Sequence, residues 1–267
     1  MKKHLIWLAC VVGFQAHADN VLIVHGLSTT SETGTTQANM DNWPVVCNAQ
    51  SQHTITYADT PPANLSTYQQ IWDIRFDNSS PLTPADMTAY TGALSAGASL
   101  FLMGENSSFM TRNDSLFQFV NQLGGGQLTF ANGGGYSETV VAPLNANGLI
   151  TVNFLAAGSA TATGLTGVMA AQDDMVAGAG SAFVWPVGSL GGPAAAGKLT
   201  MVLDVNFMMA GNAANGNGQL FANLCEFMAE PPVVVAPKAV PALGGWSVAA
   251  LLGLLGATAV RRRRSRA

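Results

Sequence analysis

Apolar and polar positions along this chain follow two rhythms, and each predicts a different part of the molecule. In the first half, short apolar runs alternate with stretches of helical spacing. Val21-Leu22-Ile23-Val24 is an apolar run closing at His25-Gly26, the pattern of a strand buried on both faces. A polar stretch from Leu27 to Asn42 predicts a loop, with a helix through Gln37 to Trp43. Thr54 to Tyr57 predicts a second strand, closed by Asp59-Thr60-Pro61-Pro62, and Tyr68 to Phe76 a third. Thr83 as N-cap, Pro84 at the first helical position and Asp86 at the third then start a helix that runs to about Ala96 and stops at Gly97. Ser99 to Gly104 predicts a fourth strand; Leu116, Phe117, Val120 and Leu123 have helical spacing and end at Gly124-Gly125-Gly126.

From Gln127 the rhythm changes. Gly, Ala, Thr, Ser and Asn dominate as far as Pro193, short runs such as Ile150-Thr151-Val152-Asn153-Phe154 alternate in polarity, and helical spacing is almost absent. Lys198 to Phe207 restores the buried-strand pattern; a Gly/Asn loop, 211–218, precedes a helix from Gln219 to Met228. Strands alternating with helices predict an α/β fold, a mainly parallel sheet with helices on its faces. The expected divisions are an α/β domain over 19–126, a β-rich insertion over 127–197, and a last strand and helix over 198–230 that rejoin the first sheet.

Both ends have a pattern of their own. Met1-Lys2-Lys3, an apolar stretch from Leu5 to Phe14 and Ala16-His17-Ala18 form a secretory signal peptide over 1–18. Cys10 lacks the small residues a lipoprotein site needs before it, so lipidation is not expected. At the other end, a Pro-rich spacer over 231–242 leads to 18 uncharged residues, 243–260. As a helix these span roughly 27 Å, about one hydrocarbon core, and predict a single C-terminal transmembrane helix. Trp246 suits the interface, and the basic tail over 261–267 predicts a cytoplasmic end, with the body outside. Ala249, Gly253 and Ala257 form a line of small residues on that segment, too common a feature to carry weight.

The tail, through Val240, Pro241, Leu243 and Trp246, the apolar segment and Arg261-Arg262-Arg263-Arg264, resembles the IPTL-CTERM group of bacterial C-terminal sorting signals. Ala242 and Gly244-Gly245 depart from that group's Thr and Ser-Glu. The resemblance implies a surface protein, exported through signal peptidase, whose tail is recognised and cleaved by a membrane-embedded sorting protease.

Charge narrows the function classes. The chain has 11 basic and 15 acidic residues, but only Arg75, Arg112 and Lys198 fall within 19–230 against all 15 acids, a net charge near −12. An acidic solvated face of this kind repels phosphate backbones, so nucleic acid is not an expected partner. No Asp-x-Asp-x-Asp-Gly loop is present, and Asp173-Asp174 alone is a weak cation signal. Two histidines, His4 and His17, fall in the signal peptide and leave only His25 and His53, while Met208-Met209 has no third soft ligand, so neither metal nor cofactor is predicted. Cys47 and Cys225 are the cysteines left after export, either one disulfide or two buried thiols.

The order Trp72-Asp73-Ile74-Arg75-Phe76, helix, Phe101-Leu102-Met103-Gly104-Glu105-Asn106, with a closing strand containing Asp204 and a terminal helix, resembles the class I glutamine amidotransferase-like fold over 20–125 and 198–228. That family's glutaminases carry a Cys nucleophile at the turn where this chain has Gly104-Glu105-Asn106, and their catalytic His follows the Cys, whereas His25 and His53 precede the turn. The resemblance therefore implies a binding or structural domain without the Cys–His chemistry. No Gly-rich run has phosphate-loop form and no Gly-x-Ser-x-Gly elbow surrounds Ser28. Asp73, Arg75, Glu105, Asn106, Arg112 and Asp204 remain as a candidate ligand pocket at the strand ends, with Glu105 its functional carboxylate, set against an ion network that only holds strands together. Two other functions fit the sequence: a secreted hydrolase working through Glu105, and a glycan-binding adhesive module built on the Thr/Gly/Asn-rich 127–195.

Overall fold

A computed structural model describes residues 18–49, 51–134 and 137–229. Its elements are β1 (Asn20–Val24), α1 (Thr33–Cys47), β2 (Thr54–Ala58), β3 (Gln70–Asp73), α2 (Pro84–Ser95), β4 (Ser99–Met103), α3 (Met110–Gln122), β5 (Gln127–Gly134), β6 (Ser137–Val140), β7 (Thr151–Asn153), β8 (Ala157–Thr163), β9 (Val168–Asp173), β10 (Ala179–Trp185), β11 (Lys198–Val202) and α4 (Asn217–Ala229).

The mainly parallel sheet with a separate β-rich insertion is not what forms. All 11 strands belong to one mixed sheet, in the order β2-β1-β3-β4-β11-β10-β9-β6-β7, with β8 joined to β10 and β5 to β8. The half from β2 to β11 is parallel; the half from β11 to β7 is antiparallel. β11 is the hinge between the two, parallel to β4 on one side and antiparallel to β10 on the other. The physical reason lies in β10, whose seven residues are all buried, so it needs cover on both faces and both edges. With 11 strands and four helices among the described residues, the molecule is richer in strand than the helix-flanked sheet expected. No helix among the described residues is long and apolar enough to cross a membrane, so the transmembrane helix expected in the fold has no counterpart there. The span 243–260 itself, the spacer, the basic tail and residues 1–17 of the signal peptide lie outside the described residues.

Alternation along the buried strands sends side chains to two cores. Val21, Ile23, Trp72, Phe101 and Val184 face one core with Trp43 of α1 and Phe221 of α4. Leu22, Ile71, Leu100 and Phe183 face the other with Tyr90 of α2 and Phe119 of α3. Trp43 meets Trp72 edge-on at 5.5 Å, and Phe221 meets Trp72 edge-on at 6.2 Å, so the first core holds an edge-to-face aromatic cluster. Cys47 and Cys225 are joined in a disulfide, Cα atoms 5.2 Å apart, tying α1 to α4 across 178 residues.

Strand ends fall earlier than the apolar runs suggest. β3 stops at Asp73 rather than Phe76, and β11 at Val202 rather than Phe207. In each case an acidic side chain turns the chain: Asp73 accepts the amide of Arg75 at 3.2 Å, and Asp204 accepts that of Asn206. Such Asx turns offer the backbone a partner other than the next strand, and so end the ladder.

The acidic solvated face also needs correction. Asp19, Asp73, Asp77, Asp86, Glu105, Glu138, Asp173 and Asp204 are buried, so over half of the acidic residues lie inside. Arg75, Arg112 and Lys198 are buried too, at 5%, 0% and 5% exposure.

Candidate functional site

The six predicted pocket residues fall into two hydrogen-bonded groups at the carboxyl ends of β3, β4 and β11. In the first, Asp73 is the hub. The Arg75 guanidinium binds it through Nε at 2.8 Å and Nη2 at 2.7 Å. The Arg112 Nη2 lies 3.1 Å from its Oδ1, and the Tyr90 hydroxyl donates at 2.8 Å. Burial alone would raise the Asp73 carboxyl, but the Arg112 and Arg75 charges, with hydrogen bonds from Arg75 and Tyr90, hold it well below the usual carboxylate range. Arg75 also reaches Asp86 at 3.3 Å, and Asp86 in turn caps α2 through the Thr83 amide. Arg112 donates to the carbonyls of Met103 and Ser80. Two cations and two carboxylates thus close on one another, with no charge left over for a ligand.

Open sheets hold ligands outside the strand ends where the strand order reverses, here between β1 and β3. That crevice is filled. Gly26, in the left-handed region at φ +63°, lies so close that a Cβ there would sit 2.9 Å from Arg75 Cγ. Beyond it, the 27–32 loop is tied down by Thr29 Oγ1 to Ser80 Oγ at 2.7 Å, Ser31 Oγ to Asp77 at 2.7 Å and Ser79 Oγ to the Thr29 carbonyl at 2.7 Å. Burial would raise the Asp77 carboxyl, but the hydrogen bonds from Ser79 and Ser31 outweigh it and hold the group down to about 2.

The second group centres on Glu105, just past the β4 turn. Gly104 is required there, since a Cβ would lie 2.5 Å from Leu203 Cδ2 and 2.8 Å from Asn113 Oδ1. Glu105 accepts the Val205 amide at 2.6 Å and Asn106 Nδ2 at 2.9 Å. Asn113 clamps the turn from α3, accepting the Glu105 amide at 3.0 Å and donating to its carbonyl at 2.6 Å. Burial, then the nearby Asp204 charge, pushes the Glu105 carboxyl up to about 8. Burial pushes Asp204 up to about 6, against the amides of Asn206, Leu155 and Phe207. Glu105 is 1% exposed and Asp204 0%.

Sequence reasoning missed three of these partners. Tyr90 of α2 and Asn113 of α3 reach the two groups only once the helices have packed, and nothing local marks either. Asp86 is legible as a helix cap through the Thr83–Asp86 pattern, but its second bond, to Arg75, is not.

A further buried acid, Glu138 on β6, lies opposite Asp173 in the register with β9, accepts the Ser181 amide at 3.2 Å and its hydroxyl, and is pushed by burial up to about 7. His25 lies 3.2 Å from Asp59 at the mouth of the sealed crevice, and burial lowers its pKa. Three clefts lie elsewhere: about 690 Å³ between residues 63–66 and α2, about 450 Å³ between α2 and α3, and about 500 Å³ between α3 and β5. None of the three is lined by a predicted pocket residue.

The fold has solved counterparts. The N-terminal domain of mmIFT52 superposes with a TM-score of 0.56 at 10% identity, over 80% of this chain and 98% of that one. A putative ThuA-like protein from Bacteroides uniformis ATCC 8492 gives 0.53 at 13% identity, over 82% and 94%. The exo-beta-1,4-mannosidase Op5Man5 from Opitutaceae bacterium strain TAV5 gives 0.50 at 11% identity, over 80% of this chain and 36% of that chain. At these identities the likeness speaks of the fold alone. No family model matches the chain, and no curated protein does.

Proposed function

We propose that this is an exported bacterial surface protein whose body serves as a non-catalytic binding or structural domain, and whose C-terminal sorting signal is read by a processing protease. The observation that carries the reading is the sealed strand-end crevice: Arg75, Arg112, Asp73 and Asp86 neutralise one another where a ligand of this fold would sit. The turn after β4 presents Glu105 in place of a nucleophile. The Cys47–Cys225 disulfide suits an oxidising compartment outside the cytoplasm.

Intact mass of the protein recovered from cells and medium tests this. The expected species begins at Asp19, lacks the basic tail and is two hydrogen masses light. A full-length cytosolic chain with both thiols free overturns the reading.

A hydrolase working through Glu105 has one observation in its favour, the buried Glu105–Asp204 pair with both carboxyls raised. Against it, neither side chain reaches solvent. Glu105→Gln separates the two: hydrolysis of a chromogenic glycoside or ester that disappears in the variant supports the hydrolase, and a change in stability alone supports the binding or structural domain.

A further inference from the structure

β1 and β2 run parallel, and their last register pair is Val24 with Ala58, so His25 and Asp59 are the next residue on each. The His25 amide extends the ladder by donating to the Ala58 carbonyl at 2.9 Å. Gly26 then turns the chain into the 27–32 strap over the crevice, where Thr29 and Thr30 return their amides to the Gly26 carbonyl at 3.0 Å. The first two amides of the strap go elsewhere. Leu27 donates to His25 Nδ1 at 3.1 Å, and Ser28 to Asp59 Oδ1 at 3.1 Å. Those two acceptors are themselves 3.2 Å apart.

An imidazole nitrogen carries either a lone pair or a proton, never both. With the lone pair, His25 Nδ1 accepts the Leu27 amide and the ring proton sits on Nε2. With a proton, Nδ1 becomes a donor, Asp59 Oδ1 is an acceptor already within reach, and the Leu27 amide faces another donor. Ser28 keeps its bond in either state, because a carboxylate oxygen accepts twice. Protonation therefore removes one bond at the root of the strap. The His25 side chain is 12% exposed, so water does not readily replace that bond. Burial lowers the His25 pKa from its ordinary 6.5, with the Asp59 charge opposing. The neutral ring is thus the form the fold favours, and what it contributes is lost as pH falls through the lowered value. The other charged groups of the strap and of the crevice beneath it have partners of their own. Glu32 accepts the Thr35 hydroxyl, Asp77 holds Ser31 and Ser79, and Arg75, packed against Gly26, is paired with Asp73 and Asp86.

We propose that His25 and Asp59 form an acid-sensitive latch at the root of the 27–32 strap. It is closed over the strand-end crevice while His25 is neutral, and loosened when His25 Nδ1 takes a proton and turns to Asp59. The latch governs access to the crevice and stands apart from the export and sorting proposed above.

Hydrogen exchange of the full chain from pH 8 to 4, corrected for the intrinsic rate, reads the latch in a peptide covering 25–32 against one covering 20–24 of β1. Protection in the strap is expected to fall about tenfold as the pH drops below the ordinary histidine value, while β1 keeps its protection. His25→Asn offers a side-chain oxygen to the amide two residues on and does not titrate, so strap protection should stay level with pH. Asp59→Asn removes the charge that favours the protonated ring, and the fall moves to lower pH. Level strap protection in the parent chain overturns the proposal, as does a fall of the same size in His25→Asn or one that β1 shares. If His25→Asn does not fold, Asp59→Asn decides: a fall at an unchanged pH there overturns the latch.

Discussion

Asp73 is the residue on which the strand-end network depends, because it answers two buried guanidinium groups at once. Asp73→Asn keeps an acceptor for the Arg75 amide but leaves Arg75 and Arg112 with too little negative charge. We expect a loss of about 3–5 kcal/mol, read as a fall in the denaturant midpoint. Glu138 makes a second prediction. Its folded carboxyl is raised from 4.5 to about 7, by burial first, with the Asp173 and Asp174 charges adding and the Ser181 bonds opposing. The native state therefore holds a proton that the unfolded chain releases. Stability contributed by this group is greatest below its ordinary value and falls as pH rises through the window from 4.5 to about 7, with a slope of at most about 1.4 kcal/mol per pH unit. Glu138→Gln should flatten that part of the curve in denaturation series from pH 4 to 8. In the sequence, the scarcity of basic residues made Asp73, Arg75 and Arg112 visible as a group. It did not separate them from Glu105 and Asp204, because the dividing partners, Tyr90 and Asp86, arrive from α2 only through tertiary packing.

Among the elements, α2 and α1 show where local signals succeed and fail. α2 starts with a reciprocal capping box at Thr83 and Asp86, a local pattern within three residues, and the sequence announces it. Thr83→Ala should cost about 1 kcal/mol in the same assay. α1 has no capping side-chain bond, no charge in its first or last turn, and Pro44 inside it. It is helical because tertiary contacts make it so: Trp43 and Cys47 enter the core, and Asn39 and Asn42 bond the carbonyls of Val205 and Met208. Only its end near Trp43 was therefore legible. Its bond to α4 closes a loop of 178 residues, so replacing Cys47 and Cys225 with Ala should cost about 2–5 kcal/mol, measured as a lower Tm than that of the oxidised parent.

At the scale of the whole molecule, the parallel half of the sheet was legible because each of its strands is rich in apolar residues and bounded by turn signals. The antiparallel half was legible as strands but not as part of the same sheet. Gly, Ala, Ser and Thr in β8, β9 and β10 carry little sign of burial, yet β10 is covered on every side. Pairing between β10 and β11 is a long-range choice that no local pattern states.

Burial of Arg75, Arg112 and Lys198 has a practical outcome. Trypsin cuts only after lysine and arginine, and across the described body every such bond follows a side chain locked in the interior. The native body should pass through a tryptic digest uncut between Asp19 and Ala229, to be cleaved after those three residues only once it unfolds. A protein built this way would outlast basic-specific proteases in whatever medium surrounds it.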